Sequence, residues 1–233
     1  MNGKKVFYSE LAYVFGMVVL ALGTAMMERA DFGMSMVVAP AYLVHLRISQ
    51  AFPAFTFGMA EYCLQAVLLI GIAMITHGRK IKYVLSFGTA GFFGFTLDLA
   101  IRIIGMIPSG AFVGRIVFYV FGMFLCAVGV SLFFHTYLPP EAYELFVKEI
   151  SVKYATDIHK TKTVYDCCSC FLAVLLSFFF FGFGHFEGVK FGTVICAALN
   201  GSWIGMCSKI MESKFCFKDA LDLTFLPDGT LQG

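Results

Sequence analysis

Six stretches of the chain stay apolar for long enough to cross a bilayer. Leu11 to Met27 carries no charge and is just long enough to span. Phe57 to Thr76 is a full span that holds Glu61 and Gln65, and Tyr83 to Ile101 holds Asp98 near its end. Ile116 to Phe134, Val164 to Phe181 and Phe191 to Ser208 complete the set. Two further segments are shorter. Met36 to Leu46 contains Pro40 and ends at His45 and Arg47, which puts it in the length range of re-entrant or interfacial helices. Leu138-Pro139-Pro140-Glu141 opens a second short, more polar helix that runs to about Val152. Pro108-Ser109-Gly110 marks a turn, and with it a boundary between two halves.

The halves repeat one another. Tyr13-Val14-Phe15-Gly16-Met17 returns as Tyr119-Val120-Phe121-Gly122-Met123 at an offset of 106, and Gly23 falls on Gly129. Glu61-Tyr62-Cys63 lies over Asp166-Cys167-Cys168 at 105, and Phe87-Gly88-Thr89 returns as Phe191-Gly192-Thr193 at 104. Three matches in register predict a duplicated unit of roughly a hundred residues. The repeats cover about 11–104 and 115–210 of one membrane domain, with a polar tail of little structure over 211–233.

Composition names the solvent. The chain is 59% hydrophobic and only 14% charged, with a mean hydropathy of +0.82, far from a soluble domain. The net charge of +2 matters less than where the cations fall. With six spans and the N-terminus inside, twelve of the seventeen Lys and Arg lie on the inner side and five on the outer. Spanning short helices would turn the Arg79-Lys80-Lys82 loop outward, against the positive-inside rule. The pattern therefore predicts an all-α protein of the cell inner (cytoplasmic) membrane, with both termini cytoplasmic. Three spans per repeat is an odd number, so the second copy enters the bilayer from the opposite side. The expected fold is six transmembrane helices as two inverted three-helix repeats, each with a short re-entrant or interfacial helix, a plan that many secondary transporters use.

Ala30-Asp31-Phe32-Gly33-Met34-Ser35, after a span with a Gly-x6-Gly pattern, resembles the Ala-Asp-Leu-Gly-Met-Ser-Pro-Trp segment of the YczE/YyaS/YitT family of bacterial membrane proteins. Lys162-x3-Asp166 resembles that family's second-half signature, and Phe191-Gly192-Thr193 is similar to the opening of its last span. The resemblance implies a multi-pass inner-membrane protein of transporter type, and it specifies no substrate. Met36-Val37 stand where the family has Pro-Trp, so the approach to the short helix is expected to differ.

Candidate pathway residues follow from the cost of placing charge at membrane depth, where each such group must face the bundle interior, water or a partner. Glu28, Arg29, Asp31, Glu61, Asp98, Arg102 and Arg115 fall toward the outer half and predict a polar vestibule there. Asp98 and Arg102, four residues apart, are expected to pair with each other. Glu61 has Gln65 one turn further on the same face, and Asp166 holds the equivalent place in the second repeat. An inverted repeat would set these two acids at opposite membrane faces, each taking a proton or a cation in turn. The plainer reading is that each caps its own helix. Gly33-Met34-Ser35 opens a short helix whose free N–H groups could bind an anion, with Ser35 as cap or ligand. Asn200 is the uncharged polar residue best placed for a pathway.

Other chemistries find little support. Cys167-Cys168-Ser169-Cys170 points along different helix faces and makes no metal site. No nucleotide-binding loop, catalytic signature, cofactor motif or nucleic-acid surface is present in the sequence. The expected function is a small-solute membrane transporter, coupled to protons or another cation through Glu61 and Asp166. The alternative is a non-transporting subunit that binds or regulates a partner protein through the Lys148 to Lys162 segment and the tail. Its partners are the lipid bilayer, a small molecule or ion, and either a second copy or another protein.

Overall fold

The structure, a computed structural model, describes residues 5–76, 81–108, 110–139, 141–156, 158–182 and 188–220. Of the positions invoked above, Arg79, Lys80, Ser109, Pro140 and the tail beyond Ala220 lie outside the described residues. Among the described residues there are eight helices: α1 (Ser9–Ala30), α2 (Ala39–Ser49), α3 (Phe57–Thr76), α4 (Ile81–Gly105), α5 (Phe112–Phe134), α6 (Ala142–Lys153), α7 (Ile158–Phe181) and α8 (Phe191–Lys214). Six of them, all but α2 and α6, are long and apolar enough to cross a membrane, which makes this a multi-pass membrane protein. Large apolar side chains such as Phe95, Phe112, Phe179 and Phe191 stand exposed on their outer faces, as lipid contact requires.

The centre of the bundle is the crossing of α1 and α5. Gly16 meets Gly129 and Gly23 meets Gly122, so the two helices run antiparallel with backbone against backbone. Lipid offers helices no hydrophobic gain on association, and small residues that permit close van der Waals approach take its place. Around this pair, α1 packs on α4 and α5 on α8; α2 packs on α7 and α6 on α3; α2 touches α3 and α6 touches α7. Exchanging the first four helices for the last four maps this packing almost onto itself. The exceptions are the α3–α4 contact, which has no comparable α7–α8 contact, and a small α4–α6 contact, which has no comparable α8–α2 contact.

Local signals set the helix ends. The first helix stops at Asp31, whose left-handed backbone (φ 57°) turns its N–H back onto the carbonyls of Met27 and Glu28. Gly33 follows at φ 109°, a conformation that glycine alone adopts without strain. Pro40 sits in the first turn of α2, where its missing N–H is harmless.

One feature was not expected from the polar ends of the chain. Strand β1 (Lys5–Tyr8) pairs in parallel with β2 (Phe215–Lys218), Lys5 opposite Phe215 and Tyr8 opposite Lys218. Phe7 packs on Phe215 and Phe217. The Ser9 hydroxyl donates to Asp219 at 2.6 Å, and Tyr137 donates to Glu10 at 2.7 Å. Both ends of the described chain are thus tied together on one side of the bundle, and α8 extends to Lys214, past the Ser208 end expected of the last span and into the expected tail.

Candidate functional site

The short helix α6 starts beside the middle of α3 and runs alongside it to the end. At its head, the Ala142 N–H donates to Gln65 Oε1 at 3.1 Å. At its foot, the Lys153 ammonium reaches the Ile75 carbonyl. The first turn of α6 is thereby wedged between α3 and α7, and acidic residues from all three elements gather around it.

Glu61 and Gln65 lie one turn apart on the inward face of α3, and both are fully buried. Tyr143 of α6 donates its hydroxyl to Glu61 Oε1 at 2.5 Å, and the Gln65 amide adds a longer bond to the same oxygen at 3.4 Å. Among the described residues, Glu61 Oε2 is buried without a hydrogen-bond partner. Glu141, just ahead of α6, is only 4% exposed, and its Oε1 is likewise buried and unpartnered. Asp166 of α7 accepts an ion pair from Lys162 at 3.1 Å, and Lys162 stands 4.0 Å from Glu144. The Tyr165 ring lies against Phe146, with the Lys162 ammonium 5.7 Å from its centre.

Three carboxyls, Glu141, Glu144 and Asp166, therefore share one ammonium, and Glu61 stands next to Glu141 and Glu144. Burial pushes the Glu141 carboxyl well above the usual carboxylate range; the neighbouring Glu144 and Glu61 push the same way, and Lys162 opposes them. Glu144 is raised for the same first reason, with Lys162 again opposing. Charged carboxylates at these places would be desolvated and mutually repelled, so the neutral form is favoured.

A second concavity opens at the end of the bundle away from the strands. It has a volume of about 170 Å³ and is lined by Glu28, Tyr42, His45, Phe57, Asp98 and Arg102 among others. Phe57 is buried and packs against Tyr42 and His45, with ring centres 5.2 and 6.0 Å away. One turn further along α3 stands Glu61. The cleft and the acid cluster are thus separated by an aromatic plug. Burial pushes the His45 imidazole below its ordinary value, although its bond to the Phe55 carbonyl opposes the effect.

The structure corrects several sequence expectations. Glu61 and Asp166 do not stand at opposite faces: both flank the first turn of α6. The physical reason is that α7 begins at Ile158, so Asp166 lies more than two turns inside its helix instead of in the first turn. Neither acid caps its own helix. Asp98 forms no ion pair with Arg102 among the described residues; it caps α3 from across the bundle, accepting the Thr56 hydroxyl at 2.5 Å and the Gly58 N–H at 2.8 Å. A helix start leaves several N–H groups unsatisfied, and filling them outweighs a solvent-screened pair with an exposed arginine. Asp98→Ala is accordingly expected to destabilise the protein by about 1 kcal/mol, as loss of a cap does, read as a lowered melting temperature in detergent. Arg102→Ala is expected to leave it unchanged.

Asp31 is spent on a clamp, pairing with Lys190 at 2.5 Å and Arg115 at 3.3 Å. Ser35 does not cap α2 with its side chain. Its carbonyl receives the N–H groups of Val38 and Ala39. The Met34 N–H is taken by the Gly188 carbonyl, which removes a donor from the anion site expected there. Asn200 has a buried, unpartnered Oδ1, but it lies on α8, which packs on α5 and away from the cluster. Glu141, Tyr143, Glu144 and Lys162 were missed as site residues. The available signal was an acid pair, Glu141-x-x-Glu144, at the head of a helix bracketed by spans.

The family model that matches covers residues 7–209 and is described as a family of unknown function, DUF6198. No curated protein and no solved structure matches the chain.

Proposed function

We propose that this chain, which belongs to the DUF6198 family of unknown function, is a small-solute carrier of the cytoplasmic membrane, built as two inverted repeats and coupled to protons or another cation through Glu61 and Asp166. The observation that carries this reading is Glu61: a fully buried carboxyl with one oxygen left unpartnered, in the interior of a membrane bundle. Such a group costs several kcal/mol to place if charged, and a purely structural site would be cheaper with an apolar residue.

The packing supports the inverted arrangement. The antiparallel glycine contacts Gly16–Gly129 and Gly23–Gly122 exchange with each other when the halves are swapped, as a two-fold axis lying in the membrane plane would require. The two short helices support a re-entrant reading. The head of α6 lies at Gln65 in mid-span, and the chain leading into α2 is held at Met36, whose carbonyl accepts the Ser169 hydroxyl of α7. Short helices whose N-termini meet inside the bilayer at the repeat interface are where secondary carriers place their substrates. The excess of Lys and Arg on the strand side favours that side as cytoplasmic. The likeness to the YczE/YyaS/YitT proteins belongs to the same proposal.

The test is uptake by the purified protein in proteoliposomes, using solutes first selected by their ability to raise its melting temperature. Uptake driven by a pH gradient is expected, falling at least about tenfold in Glu61→Gln, equivalent to about 1.4 kcal/mol. The amide retains an acceptor for Tyr143, so the variant should fold. Uptake indifferent to this change would remove the coupling, and copurification of a stoichiometric partner without any uptake would favour the regulatory subunit instead.

A further inference from the structure

Resting on the carrier reading, we propose that the transported solute is a small organic cation, a protonated amine or guanidinium, and that it binds in the acid cluster between α3, α6 and α7 by displacing Lys162 and a proton. The protein already holds a stand-in for such a ligand. The Lys162 ammonium lies over the face of Tyr165, 5.7 Å from the ring centre, between Asp166 at 3.1 Å and Glu144 at 4.0 Å. Carboxylates with an aromatic face are the usual recognition chemistry for an organic cation.

The charge count asks for more than Lys162 supplies. Glu141, Glu144 and Asp166 share a single ammonium with Glu61 beside them, and two buried oxygens, Glu61 Oε2 and Glu141 Oε1, lack any donor among the described residues. A buried acceptor without a donor costs about 1–3 kcal/mol, a deficit that an N–H-bearing cation would remove. An anion would find only one ammonium here, already paired with Asp166. Among the described residues no group of His, Cys, Asp and Glu is arranged to hold a metal ion.

Glu61 is surrounded from several sides. Helix α6 contributes Tyr143, with Glu141 ahead of it and Glu144 beyond; α7 contributes Tyr165, and its Lys162 and Asp166 stand next to Glu144. From α1, Tyr13 faces Glu141, but its hydroxyl is already bonded to Thr89 of α4 at 2.5 Å. Helix α2 presents His45 in the cleft, and α4 presents Asp98 at the head of α3. No cation other than Lys162 reaches the cluster from these elements among the described residues. The route in passes the Phe57 plug, which seals Glu61 from the cleft in this conformation.

Binding is tested on the full-length protein in detergent, with methylammonium, benzylammonium and guanidinium as probes and acetate and glycerol as controls. At least one cation is expected to raise the melting temperature and to release protons into weakly buffered solution, with an affinity that tightens about tenfold per pH unit where one proton is exchanged. Glu61→Gln should lose both signals. Lys162→Gln should tighten binding, because it removes an internal competitor, whereas a merely structural Lys162 would weaken it.

The proposal is overturned if none of the cations stabilises the protein, if they bind without proton release, or if Lys162→Gln weakens binding. Gradient-driven uptake of a neutral or anionic solute that is lost in Glu61→Gln would keep the carrier and remove the cation. Cation binding with proton release but no uptake would keep the pocket and remove the carrier.

Discussion

Gly23→Leu is expected to abolish recovery of folded protein. A Cβ at this position would stand 2.6 Å from the Gly122 carbonyl oxygen and 2.8 Å from the Cys126 amide nitrogen. Both are backbone atoms of α5 and cannot turn aside as a side chain would, so α1 and α5 must separate. Overpacking a rigid site costs about 1–3 kcal/mol or more, and separation forfeits the close packing along the whole crossing. Gly122→Leu should behave alike, since its Cβ would meet the Gly23 carbonyl oxygen at 2.8 Å. Gly88→Ala and Gly201→Ala serve as controls, because nothing lies within 4 Å of a Cβ at either place. The measurement is the yield of monodisperse protein in detergent and its melting temperature. A Gly23→Leu protein that melts near the native value would show that the α1–α5 crossing is not the anchor of the fold.

That crossing also shows what the chain discloses before it folds. The positions of Gly16, Gly23, Gly122 and Gly129 are visible as two copies of one spacing. The partner of each is not, because antiparallel pairing is a property of the assembled bundle. Span α3 was legible to the residue, since Thr56 and the basic run at 77–80 bracket a stretch that is apolar apart from Glu61 and Gln65. Spans α4, α5, α7 and α8 run a few residues past their apolar cores. Lys82, Arg115, Lys160 and Lys214 read as loop by charge, yet long basic side chains reach water from helical backbone at a membrane edge.

The acid cluster was half legible. Glu61 and Asp166 stood out as charges within spans, whereas Glu141 and Glu144 sit in a segment polar enough to pass for a surface helix. Their burial comes from the docking of α6 against α3, a long-range event with no local sign. The β1–β2 pair was illegible for a similar reason: each strand is four residues long and gains stability only from its partner.

Helices α7 and α8 are packed more loosely than their counterparts α3 and α4, which bears on where movement can occur. Helices α3 and α4 meet through Gly58 and Gly94, with Tyr62 seated over Gly91. Gly201 and Gly205 of α8 meet nothing within 4 Å, and α7 does not pack along α8. If the two repeats rock against one another, α7 has more room than α3. Its Lys162 and Asp166 are then the mobile wall of the cluster, and Glu61 is the fixed one.

The neutral carboxyls of the cluster set the direction of a pH effect on stability. The melting temperature of the native protein is expected to exceed that of Glu141→Gln by the widest margin at low pH, with the margin shrinking as pH rises from 4.5. Glu141 has its ordinary value near 4.5 in the unfolded chain and a raised value in the fold, chiefly through burial. Below 4.5 both states hold the proton and its contribution is fully present. Above 4.5 the unfolded chain gives the proton up while the fold retains it, so unfolding becomes easier by about 1.4 kcal/mol per pH unit. The loss continues until the folded group itself ionises. Titrations elsewhere in the molecule that Glu141 does not touch act alike in both proteins. They cancel when the two melting curves are subtracted, so the difference isolates Glu141. A difference that is flat across this range, or that widens as pH rises, would mean that Glu141 is charged in the fold and that the cluster holds no proton for a cation to displace.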